Sequence, residues 1–188
     1  MKQNSIKIGN RKLENYGTPF ITAEVGVNHN GSLKKALKMI DIAKETGCDA
    51  VKFQTFRSNE IVQDRDLKFT YVSQKKKITE RMDLMFKRYE LKESYWKIIS
   101  DYCKKKKIIF FSTPQNLSDL KILMKLNVPA IKVGSDDFVN INLIKNFIRF
   151  KKPIILSTGM STEKNFDNVL KIKNIKKKKN YFFIVYFR

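Results

Sequence analysis

The chain has 188 residues, of which 42% are hydrophobic and 30% charged, which is enough apolar material for one folded domain and argues against a wholly disordered chain. Its net charge of +21 is typical of nucleic-acid-binding proteins, but the 39 Lys and Arg residues are spread over almost every predicted helix and accompany no nucleic-acid motif. No apolar run is long enough to span a membrane and residues 1–10 lack a secretory signal, so we expect a cytoplasmic protein with neither a nucleic-acid nor a membrane partner.

Short apolar runs alternate with amphipathic stretches along the chain. Six runs predict strands of a parallel sheet, because most are continuously apolar: residues 20–27, 50–55, 108–113, 130–135, 153–158 and 181–187. Helical periodicity follows each of the first five runs, with an additional predicted helix near residues 82–89. Repeated βα units predict an α/β fold, either an open doubly wound sheet or a (β/α)8 barrel.

Several local signals mark turns and helix ends. Ser32 can cap the first helix and Gly47 can follow its end, while Ser161 or Thr162 can cap the last one. The stretch 28–31, Asn-His-Asn-Gly, is typical of a turn. We therefore interpret its histidine, the only one in the chain, as a turn residue rather than a metal ligand.

The two cysteines, Cys48 and Cys103, have no motif spacing. In a cytosolic protein such thiols are most simply small core residues, so we expect both to be free.

Polar side chains occur in or just after five consecutive predicted strands, at the carboxyl ends where both candidate folds bind ligands. They are Glu24, Lys52, Gln54, Ser112, Thr113, Lys132, Ser135, Asp136, Asp137, Ser157 and Thr158. Lysines within apolar runs are costly unless they are paired or contact an anion. One interpretation is that Glu24 forms an ion pair with one lysine. We favour a convergent site for a small anion with carboxylate and phosphate groups.

Four segments together resemble the sialic acid synthase family, which comprises N-acetylneuraminate synthases and their legionaminate and pseudaminate relatives. They are AEVGVNHNGSLKKALKMIDIAKETGCDAVKFQT, FSTP, AIKVGSDD and PIILSTGM, in order within residues 20–170. The resemblance implies a TIM-type (β/α)8 barrel, incomplete here with five to six βα units. It implies condensation of phosphoenolpyruvate with an N-acetylated amino sugar, giving a nine-carbon α-keto sugar acid. A divalent metal, manganese or magnesium, and a homodimer are implied as well.

The resemblance also implies roles for individual residues. Glu24 and Asp137 are the expected catalytic groups, Glu24 for handling a proton or positioning water, and Asp137 standing where many relatives have Glu. The GSDD form is closer to legionaminate-type members. Five side chains are expected to bind phosphoenolpyruvate: Lys52, Gln54, Lys132, Ser135 and Ser157.

The length of the chain departs from the family pattern. We interpret residues 1–19 as an N-terminal extension, 20–175 as a partial synthase barrel and 176–188 as an aberrant or truncated tail, with a frame slip near the lysine run 176–179 as one hypothesis. A closed barrel needs about 250 residues, and the family's metal-binding histidines and antifreeze-like domain have no counterpart in this sequence. The alternatives to a working synthase are an inactive fragment and a basic nucleic-acid-binding protein.

Overall fold

The computed structural model describes residues 5–14 and 16–172, together with the backbone of residues 182–185. The strands are β1 (Ile6–Ile8), β2 (Arg11–Leu13), β3 (Thr22–Gly26), β4 (Ala50–Thr55), β5 (Lys68–Ser73), β6 (Lys76–Arg81), β7 (Ile109–Pro114), β8 (Ile131–Val133), β9 (Ile154–Ser157) and β10 (Phe182–Val185). The helices are α1 (Leu33–Glu45), α2 (Ser58–Ile61), α3 (Met82–Tyr89), α4 (Glu93–Lys106), α5 (Leu117–Lys125), α6 (Ile141–Ile148) and α7 (Glu163–Leu170).

Six of these strands form one parallel sheet, in the order β3-β4-β7-β8-β9-β10. Each strand of the sheet lies beside the one before it in the βα series, so the sheet grows in a single direction. A doubly wound sheet reverses direction at a switch point, whereas a barrel does not. The fold is therefore a partial (β/α) barrel, as expected, with five βα units and a sixth strand among the described residues.

The strongest sequence patterns predicted their elements closely. The strand at 50–55 and the helix at 82–89 have the predicted bounds, and the other predicted strands of the described part differ from the observed ones by one or two residues at either end. The Ser32 hydroxyl caps α1, and Gly47 follows that helix at φ +81°. Thr162, rather than Ser161, caps α7 in a reciprocal capping box with Asn165. The ends of the last predicted strand, at 181 and 186–187, lie outside the described residues.

Two hairpins and one short helix were not predicted. The strands of the β1–β2 hairpin have only three residues each, too few for a periodic signal, and β5 and β6 are mostly exposed, so neither pair contains an apolar run. The β1–β2 hairpin lies within residues 1–19. Its Ile8 is buried among residues of the sheet, in a cluster with Ala50, Phe111, Ala130 and Ile155.

The main core lies between the sheet and its helices. Phe53 of β4 makes edge contacts with Trp96 of α4 and Phe110 of β7, and a second cluster packs α5, α6 and α7 against β8 and β9. Cys103 is buried in the first cluster and Cys48 is half-buried beside it, and both are free, as predicted. Within the part of the chain that is described, no helix is long and apolar enough to span a membrane.

Candidate functional site

A cavity of about 620 Å³ opens on the face of the sheet that points away from α1 and α4. Its apolar part is formed by the β1–β2 hairpin and by inward-pointing residues of the sheet, including Phe111 and Ile155. Its polar part contains five of the seven predicted site residues, Glu24, Lys52, Lys132, Ser135 and Ser157. It also contains Asp136, to which the sequence analysis gave no catalytic or binding role. Both lysines therefore line the same cavity, and the binding and catalytic roles expected of these residues stay predictions.

Lys52 is the better-partnered of the two lysines. Its Nζ contacts Glu24 Oε2 at 2.5 Å and donates a hydrogen bond to Thr113 Oγ1 at 3.3 Å. The Lys52 side chain is 12% exposed, whereas that of Glu24 is 52% exposed, so the carboxylate lies at the mouth of the cavity. The ion pair considered from the sequence is thus present, and it accounts for one of the two lysines.

Lys132 has neutral partners. Its Nζ donates to Ser157 Oγ at 2.7 Å and to the Val133 carbonyl oxygen at 2.5 Å, and no carboxylate of the described residues lies within ion-pair distance. Burial lowers the pKa of Lys132 to about 8; the Lys52 charge acts in the same direction, while Glu24 and Asp136 oppose it. A buried ammonium group held only by neutral oxygens favours an anionic ligand.

Gln54 and Asp137 are the two predicted site residues that do not line this cavity. Gln54 pairs in register with Thr113, beside the Lys52 contact. Burial, and then the Asp136 charge, raise the pKa of Asp137, which a hydrogen bond with Asn140 opposes. Their roles stay predictions, and Asp136 is the carboxylate of the GSDD segment that does line the cavity.

The turn at 28–31 supports the first strand of the site. Gly31 has φ +71°, and its N–H donates to His29 Nδ1 at 3.1 Å, as expected for a turn histidine. Burial lowers the pKa of His29 to about 4, opposed by a hydrogen bond to the Gly26 backbone, so the ring is neutral near pH 7. His29 stacks on Phe53 in the main core between the sheet and its helices.

A second polar cluster joins the connections that follow β4 and β7, and sequence analysis missed it. Glu60 Oε2 accepts hydrogen bonds from Asn116 Nδ2 at 2.5 Å and from Ser118 Oγ at 2.8 Å, while Arg57 contacts Oε1 at 3.2 Å. Asp119 is fully buried nearby, and neither of its carboxyl oxygens has a hydrogen-bond partner among the described residues. An acid in the first turn of a helix looks like ordinary capping chemistry, so its burial could not be predicted.

The described residues do not fit the divalent metal that the resemblance implies. No group of three or more His, Cys, Asp or Glu side chains among them is placed to hold a metal ion.

Comparisons with known proteins agree with this geometry. The sequence model described as the NeuB family matches residues 39–185. The N,N'-diacetyllegionaminic acid synthase of Campylobacter jejuni is 35% identical over 162 residues, or 85% of this chain and 48% of the relative. The enzyme of the same name from Legionella pneumophila is 36% identical over 143 residues, or 76% and 40%. The chain spans less than half the length of these relatives.

A solved structure agrees as well. The N-acetylneuraminic acid synthetase of Leptospira borgpetersenii, crystallised with citrate, aligns with a TM-score of 0.82 and 29% identity, covering 97% of this chain and 58% of that one.

Proposed function

Because the chain belongs to the NeuB family, we propose that it acts as a sialic-acid-type synthase, condensing phosphoenolpyruvate with an N-acetylated amino sugar to a nine-carbon α-keto sugar acid. The observation that carries this proposal is the convergence of Lys52 and Lys132 on one cavity, with Lys132 lacking a carboxylate partner among the described residues. Phosphoenolpyruvate is a small anion with a carboxylate and a phosphate, the groups that two ammonium ions and nearby hydroxyls bind well.

In the proposed complex the two ammonium groups bind the carboxylate and phosphate oxygens. The Ser157 and Ser135 hydroxyls, both lining the cavity, donate further hydrogen bonds. Gln54 is proposed to contribute from the same strand as Lys52. We propose that the Glu24 carboxylate, at the mouth of the cavity beside Lys52, accepts a proton or orients the water that adds at C2 of phosphoenolpyruvate.

Further parts of the proposal rest on the family. Asp137 is proposed to share the role of Glu24, although it lies outside the cavity. The acceptor is proposed to be a 2,4-diacetamido sugar, since two relatives are named as legionaminic acid synthases. A divalent metal, a homodimer and a cytoplasmic location are proposed on the same ground, with any metal ligands supplied from outside the described residues.

The proposal is tested by phosphoenolpyruvate-dependent thermal stabilisation of the purified chain. We expect a rise in melting temperature that Lys52→Ala and Lys132→Ala each abolish and that the exposed control Lys121→Ala leaves intact. No stabilisation of the wild type by millimolar phosphoenolpyruvate contradicts the proposal. Turnover with an N-acetylated amino sugar and Mn²⁺ or Mg²⁺ is the second measurement, and binding without turnover favours the inactive-fragment alternative.

A further inference from the structure

Strand β3 contains a β-bulge next to the predicted catalytic acid. Glu24 pairs with Lys52 on β4, and the next pair is Gly26 with Phe53, so Val25 is an extra residue in the strand. A bulge of this kind bends the strand locally and changes the direction of neighbouring side chains. The break in register therefore occurs immediately after Glu24.

Gly26 provides both the backbone conformation and the space that this arrangement needs. Its φ is +54°, in the left-handed region that residues with a Cβ rarely adopt. A Cβ at this position would lie 3.1 Å from Glu24 Oε1, closer than ordinary van der Waals contact. The other oxygen of that carboxylate, Oε2, contacts Lys52 Nζ. The carboxylate that pairs with Lys52 thus occupies the space that a side chain at position 26 would restrict.

We propose that Gly26 is a positioning residue: its lack of a Cβ leaves room for the Glu24 carboxylate beside Lys52, and a Cβ there would shift that carboxylate and with it the Lys52 ammonium in the cavity. Gly26 itself contributes no side chain and acts only through Glu24. Lys52 is then held between the Glu24 carboxylate and the Thr113 hydroxyl, within the cavity that it shares with Lys132. Only the relevance of this contact to phosphoenolpyruvate rests on the proposed function.

Gly47 offers a matched control for Gly26→Ala. It also has a positive φ, +81°, but a Cβ there would meet no atom within 4 Å. Gly26→Ala and Gly47→Ala both place a Cβ at a positive φ, and only the first brings that Cβ against the Glu24 carboxylate. Gly26→Asn is a second variant that carries the same Cβ with less strain, because Asn tolerates the left-handed region better than Ala.

The readout is the acetylation rate of the Lys52 amine in the folded protein, measured by mass spectrometry against Lys121 as internal reference. We expect the rate to rise at least threefold in Gly26→Ala and Gly26→Asn and to stay unchanged in Gly47→Ala. Glu24→Ala by itself should raise the rate, and adding Gly26→Ala to that variant should have no further effect. An unchanged Lys52 rate in both Gly26 variants overturns the inference. So does a rise caused by Gly26→Ala that is as large in the Glu24→Ala background as in the wild type.

Phosphoenolpyruvate titration of the same proteins separates this inference from the proposed function. If the wild type fails to bind phosphoenolpyruvate while Lys52 labelling follows the expected pattern, the proposed function is wrong and the positioning role stands. If phosphoenolpyruvate stabilises the wild type while labelling ignores both Gly26 variants, the proposed function stands and the positioning role is wrong.

Discussion

Lys132 is the residue whose protonation should govern anion binding at the cavity. Burial and then the Lys52 charge lower its pKa to about 8, while Glu24 and Asp136 act in the opposite direction. A bound dianion stabilises the protonated ammonium, so proton binding and anion binding favour each other. As pH rises through about 8 the free protein loses this proton, and anion binding should weaken.

We expect the affinity for phosphoenolpyruvate to fall by up to about tenfold per pH unit above about pH 8, because binding then requires the uptake of one proton. Calorimetric titration from about pH 6.5 to about pH 9.5 measures this dependence. Lys132→Arg is the control, since its guanidinium stays charged throughout and its affinity should change much less with pH. A wild-type affinity that is constant across this range contradicts the prediction.

Asp119 is an acid whose burial should make stability depend on pH. Burial, and then the Glu60 charge, raise its pKa from 3.8 to about 7, and the Arg57 charge opposes the shift. Between these two pH values the folded protein holds a proton that the unfolded chain has released. The contribution of Asp119 to the free energy of unfolding is therefore full below about pH 4, falls as pH rises through about 7, and is then lost.

Asp119→Asn should remove this dependence. The free energy of unfolding of the wild type, relative to that of the variant, should fall by about 1–4 kcal/mol between about pH 4 and about pH 8. Urea unfolding at several pH values measures the difference. The comparison is needed because His29, whose pKa is lowered to about 4, makes stability rise with pH over an overlapping window in both proteins. Parallel pH profiles contradict the prediction.

At the scale of elements, the turn between β3 and α1 is held by close packing against the end of α3 and the residue that follows it. Gly31 has φ +71°, and a Cβ there would lie 2.6 Å from the Arg88 carbonyl oxygen and 3.4 Å from that of Glu90. Backbone atoms cannot yield as a flexible side chain can, so both the conformation and the space require glycine.

Gly31→Ala should therefore cost more stability than Gly47→Ala, which shares the positive φ but meets no neighbour. We expect a loss of about 3 kcal/mol for Gly31→Ala and about 1 kcal/mol for Gly47→Ala, the difference reflecting the clash with the Arg88 backbone. Chemical denaturation of both variants provides the comparison. Equal losses would show that the turn is not packed as described.

The predictability of each element follows the length of its pattern. Residues 50–55 and 82–89 form continuous or clearly periodic stretches, whereas the β1 and β2 strands have three residues each and no usable period. Within the site, a lysine in an apolar run was a sufficient signal for Lys132. The sequence could not show that Asp136 rather than Asp137 lines the cavity. This depends on how the chain bends after β8, where the Asp136 carboxylate folds back against Gly134.

At the scale of the whole molecule, the β1–β2 hairpin joins the inner face of the sheet. Ile8 is 1% exposed and belongs to a cluster that contains Ala50 of β4, Phe111 of β7, Ile155 of β9 and Ala130. The hairpin therefore brings together residues that are distant in sequence and forms part of the wall of the cavity that contains both lysines. A stretch interpreted from sequence as an extension thus has contacts typical of a core element.

Ile8→Ala tests whether the hairpin is integral to the domain. We expect a loss of about 2–4 kcal/mol in the free energy of unfolding, because a fully buried side chain leaves a cavity that the strands around it cannot close. Val72→Ala, in the exposed β5–β6 hairpin, is the control and should cost less than about 0.5 kcal/mol, since Val72 is 74% exposed. Urea denaturation measures both, and a cost for Ile8→Ala as small as that of the control would mean that residues 1–19 are an appendage of the barrel rather than part of its core.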